Sequence, residues 1–162
     1  MVSIDCPEVG DYVALLKKSS QPKKPGDIKY RYIIFKIPLV KKLSAGRIAE
    51  PVDVVVEEAS EEDDYEVFRN KLIESKTDKG EPAARYALYD VPFTSSGGAV
   101  KSEKTVFILW TPENSPTEQK MTYGLNCESF KDKLSVIPSL AAHDPDEIEW
   151  EALVDKAKQF SR

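Results

Sequence analysis

Apolar and polar positions follow two different rhythms along this chain, and each change of rhythm marks an element. Val9, Tyr12, Val13 and Leu16 recur at spacings of three and four, which predicts a short helix over residues 7–17, with Pro7 tolerated in its first turn and Gly10 weakening it. From Ser19 to Lys29 prolines, a glycine and lysines break every period, so an exposed loop is expected. Tyr30 to Ile37 (YRYIIFKI) is a continuous run of aromatic and β-branched residues, the signature of a strand in the middle of a sheet. Pro38 ends that strand, a polar connection covers 41–51, and Val52 to Glu57 (VDVVVE) predicts another strand.

The rhythm then returns to the helical period. Tyr65, Phe68 and Leu72 fall on one face of a helix that Ser60 is expected to cap, with Glu61, Glu62, Asp63 and Asp64 at its positive end. That acidic run reads as a solvated helix start. Arg85 to Phe93 and Thr105 to Thr111 predict two strands, and Gly97-Gly98 between them a hairpin. Ser115-Pro116-Thr117-Glu118 places a capping serine, a proline at the first helical position and a glutamate three residues after the cap. The helix it starts runs to about Leu134, with Met121, Leu125, Phe130 and Leu134 available for burial and Gly124 marking a kink or close approach. An extended segment over Ser135 to Ala142 follows. Asp144-Pro145-Asp146-Glu147 then starts a last helix that carries Leu153, Ala157 and Phe160 on one face. The order of elements predicts an α/β fold, a mixed sheet covered by helices, in a single domain over 1–162.

Composition narrows what such a domain can do. The 162 residues hold 23 Lys plus Arg against 28 Asp plus Glu, a net charge of −5, which argues against binding duplex nucleic acid through its phosphates. Two cysteines, Cys6 and Cys127, make no disulfide scaffold and fit a reducing compartment. With His143 the only histidine, no two-histidine metal site is expected, and no cofactor motif stands out. The first residues lack the basic and apolar blocks of a signal peptide, and the apolar runs are strand-length.

Six blocks in order carry a resemblance: YRYIIFKI (Tyr30 to Ile37), VVVE (Val54 to Glu57), RYALYDV (Arg85 to Val91), VFILWTPE (Val106 to Glu113), KMTY (Lys120 to Tyr123) and DEIEWEALVDK (Asp146 to Lys156). Together they span most of the chain, which resembles the actin-depolymerising factor and cofilin family. The resemblance implies the actin-depolymerising factor homology fold, a mixed sheet of five to six strands flanked by helices. It also implies a non-enzymatic protein that binds ADP-actin monomers and the sides of filaments, promotes depolymerisation and severs filaments. Such a binder acts through its different affinity for two states of the polymer.

By that resemblance, monomer contacts are expected from Ser3 and from the helix after the WTPE strand: Lys120, Met121, Thr122, Leu125, Asn126, Lys131 and Lys133. Glu118, Glu128 and Asp132 make this helix less basic than is usual in the family, and Leu125 and Asn126 replace small hydroxyl residues. Filament contacts are expected from Lys101, Glu103 and Lys104 on the hairpin and from Asp155 and Lys156 on the last helix.

Ser3 stands where the family carries a regulatory phosphorylation site; phosphate would add about −1.5 to −2 charges and repel acidic actin. Phosphoinositide headgroups are a further expected ligand, with Lys17, Lys18, Lys23 and Lys24 as an additional basic patch. The expected state is a monomer, cytoplasmic and cytoskeleton-associated, with nuclear entry open to it. Two rival function classes stand behind this one. One is a protein of the same fold that binds an actin-nucleating complex, as glia maturation factor does. The other is a small α/β enzyme, for which the chain has no Gly-rich phosphate loop, no GxSxG elbow and a single histidine.

Overall fold

The computed structural model describes residues 2–3, 30–38, 52–94, 101–134 and 138–159. The strands are β1 (Val2–Ser3), β2 (Tyr32–Lys36), β3 (Val52–Asp53), β4 (Val55–Ser60), β5 (Arg85–Thr94), β6 (Lys101–Trp110) and β7 (Ser139–Ala142). The helices are α1 (Tyr65–Ile73), α2 (Thr117–Leu134) and α3 (Trp150–Gln159), with a 3-10 turn over Pro145–Ile148 ahead of α3. Five strands form one mixed sheet in the order β4-β2-β5-β6-β7. The first three pairings are antiparallel and the last, β6 with β7, is parallel.

The continuous apolar run of β2 is explained by burial on both faces. Ile33 and Phe35 point to one side, where Tyr123, Phe130 and Leu134 of α2 cover the sheet. Tyr32 and Ile34 point to the other, against Phe68 and Leu72 of α1 and Leu153 and Ala157 of α3. Period-two alternation therefore sorts one strand into two cores, with one of the described helices on the first face and two on the second. Aromatic edges knit both: Phe35 meets Phe130 at 5.0 Å between ring centroids, and Tyr65 meets Trp150 at 5.1 Å.

Several sequence expectations need correction. The strand expected over 52–57 is broken at Val54: Val52–Asp53 pairs in parallel with Val2–Ser3, whereas Val55–Ser60 pairs with β2 across a register shift at Ile34/Phe35. Ser60 does not cap α1. It ends β4, and its hydroxyl accepts the Glu62 N–H, while Asp64 takes the cap position and accepts the Glu66 N–H at 3.1 Å. The polar residues 61–64 fit a turn better than a helical first turn, and the helix waits for its first apolar residue, Tyr65. Ser115 is buried and donates to the Pro112 carbonyl, so α2 begins later, at Thr117. Gly124 lies in open space on an unbroken helix and makes no close approach. The Asp144 capping box closes the 3-10 turn, and α3 starts only at Trp150. The helix expected over 7–17, the loops over 19–29 and 41–51, Phe160 and the lysines of the first loop lie outside the described residues.

Candidate binding surface

Helical phase decides which side of α2 faces outward. Tyr123 and Phe130, seven residues apart, are fully buried on the sheet side. At about 100° per residue, Met121 and Leu125 each fall about 200° from Tyr123, on the opposite side. They are the exposed large hydrophobic residues among those described, at 47% and 59%. Of the two readings available for these side chains, burial or contact surface, the structure leaves the outside one.

Thr122 and Asn126 behave differently. They are 5% and 2% exposed, and the Asn126 side-chain amide donates to the Thr122 carbonyl at 2.8 Å. Both face inward in the free protein, so the contacts expected of them are not available on the outer face. The signal was present in the sequence: a wheel anchored on Tyr123 and Phe130 puts Asn126 within about 60° of the buried side.

The lysines of α2 are partly engaged within the molecule. The Lys120 ammonium donates to the Glu113 carbonyl, tying the first turns of the helix to the WTPE segment. The Lys131 ammonium lies 3.1 Å from the Glu128 carboxylate, one turn back. Lys133 is exposed. On the inner side Cys127 packs against the first core, and burial, with Glu128 adding to it, pushes its thiol up to about 11. Ser3 pairs opposite Asp53 in the short parallel ladder, and β1 lies against α2.

A second group of expected residues sits on the β5-β6 hairpin. Pairing with β2 reaches Tyr89, and beyond it β5 and β6 continue as a two-stranded arm. Lys101, Glu103 and Lys104 stand on that arm opposite Thr94, Pro92 and Val91, with Glu103 and Lys104 half-buried. Helix α3 packs against the same two strands, carrying an exposed Asp155 and a half-buried Lys156.

His143 is a joint. Its Nδ1 lies 3.0 Å from the Thr111 carbonyl, and its backbone N–H donates to Glu147, fastening the end of β6 to the 3-10 turn. Among the described residues no cluster of His, Cys, Asp and Glu is disposed to hold a metal, and no helix is long and apolar enough to cross a membrane.

Comparison with known proteins places the chain in a family. The model of the family described as cofilin/tropomyosin-type actin-binding protein matches residues 12–158. The chain belongs to the cofilin/ADF family. Among cofilins, that of Gibberella zeae is 30% identical over 131 residues, covering 78% of this chain and 79% of its own. Actin-depolymerizing factor 12 of Arabidopsis thaliana is 33% identical over 130 residues, 79% of this chain and 80% of the relative. The crystal structure of Streptomyces griseoflavus cofilin superposes with a TM-score of 0.70 at 25% identity, covering 98% of each chain. The five-stranded mixed sheet is that of the cofilin/ADF fold, within the five to six strands expected.

Proposed function

We propose that this protein is an actin-depolymerising factor. It binds ADP-actin monomers through the outward face of α2 and filament sides through the hairpin arm and α3, and it severs filaments. The observation that carries this reading is the exposed Met121 and Leu125 on the outward face of α2, with half-buried Lys120 at its flank, in a chain that matches an actin-binding family over residues 12–158. Lys131 and Lys133 stand in the last turn of the same helix. Binding alone reshapes the polymer equilibrium, because a ligand that prefers one subunit conformation draws the population toward it.

On this reading the protein acts as a monomer at the cytoplasmic actin cytoskeleton, with access to the nucleus, and phosphoinositide headgroups compete with actin for its basic groups. Ser3 is the regulatory position: it belongs to a strand that pairs with Asp53 and lies against α2, so a phosphate there adds negative charge where an acidic partner must approach.

Native gel shift with ADP-actin and ATP-actin monomers tests the monomer claim. A shift stronger with ADP-actin is expected, weakened by Ser3→Glu; no shift with either nucleotide overturns it. Filament binding is read by co-sedimentation. The wild type pellets with filaments and Lys101→Ala with Lys104→Ala pellets less, whereas wild type remaining wholly in the supernatant refutes the claim.

A further inference from the structure

The charge on α2 is balanced, with Glu118, Glu128 and Asp132 against Lys120, Lys131 and Lys133. Lys120 already holds the Glu113 carbonyl, and Lys131, whose side chain is only 17% exposed, holds Glu128. To pair with an incoming acidic group each would have to leave or share its present acceptor, which cancels much of the gain. What the helix does offer is apolar. Met121 and Leu125 stand one turn apart on the outward face, at the i and i+4 spacing by which a helix anchors in an apolar groove.

We infer that Met121 and Leu125 form an apolar anchor pair that carries most of the affinity for actin monomers, with Leu125 the larger exposed share, so that binding depends only weakly on salt. The inference rests on the actin-binding reading above and specifies how that surface works. Burial of apolar side chains is not screened by ions, whereas contacts made by surface charges weaken as the Debye length shortens. Glu118, near the start of the helix, and Glu128, one turn past Leu125, flank the pair with negative charge. A basic-patch mechanism would be weakened at those same positions, while an apolar anchor is indifferent to them.

The test is the dissociation constant for ADP-actin monomers, kept from polymerising by a small-molecule blocker, between about 50 and about 200 mM salt. Wild-type affinity is expected to change by less than about threefold across that range. Leu125→Ala and Met121→Ala should each weaken binding by about tenfold, and Leu125→Met should stay within about twofold of wild type. Because both side chains are exposed and alanine is a good helix former, thermal midpoints are expected to be unchanged, which separates lost contact from lost fold. Leu125→Ala binding within about twofold of wild type, or a wild-type affinity falling by about tenfold or more with salt, overturns the anchor pair. Wild type that fails to bind at either salt overturns the actin-binding reading beneath it.

Discussion

Tyr32 joins three elements through one hydroxyl. Its ring is fully buried in the second core, while its Oη donates to Glu58 on the edge strand at 2.8 Å. The Lys71 ammonium of α1 reaches the same carboxylate at 2.8 and 2.7 Å and lies 5.9 Å from the centre of the Tyr32 ring. Burial alone would raise the Glu58 pKa, but the hydrogen bonds from Lys71 and Tyr32 and the lysine charge outweigh it and hold the carboxyl below its usual range. A carboxylate held low contributes its stability above the ordinary carboxylate pKa and loses it as the pH falls through the lowered one. Glu58→Gln is therefore expected to cost about 1 kcal/mol or less at neutral pH, limited by the exposure of both partners. The cost should shrink toward about pH 3, as urea denaturation at several pH values would show. No dependence of that difference on pH would mean that the ion pair is idle.

Among the elements, α1 shows where local signals compete. The acidic run before it offers several oxygens able to cap, and the first, Ser60, is the conventional choice by residue type. Ser60 is claimed by the antiparallel ladder with Tyr32, so Asp64 caps instead. Asp64→Ala should lower stability by about 1 kcal/mol, measurable as a shift of the urea midpoint, because it frees the Glu66 N–H. The central strand and the two-sided burial of β2 were legible, since a continuous apolar run of strand length needs cover on both faces, and the Gly-Gly pair announced the hairpin. The break at Val54 was not, because it depends on pairing with Val2–Ser3, far away in sequence. On α2, the burial of Thr122 and Asn126 follows from helical phase, which a motif match does not weigh.

At the scale of the whole molecule, the two cores share β2, β5 and β6, whose residues alternate between them. Neither core can be lost alone without unpairing strands that serve the other. Unfolding of the described body should thus be a single transition. Fluorescence of Trp110 and Trp150, which both report the second core, should give the same urea midpoint as far-ultraviolet circular dichroism of the whole chain. Separate midpoints would show that the two faces unfold independently. Charge is divided by the same sheet. The starts of α1 and of the turn before α3 are drawn together where Arg69 donates to the Pro145 carbonyl and Tyr65 to that of Ile148. Glu61, Glu62, Asp63 and Asp64 thereby join Asp144, Asp146, Glu147 and Glu149 on the side away from α2, whose own charges cancel. Among the described residues, negative charge is therefore gathered on the side opposite α2. An acidic partner would be repelled more by that side than by the charge-balanced α2, which favours encounters with α2 in front before any contact is made.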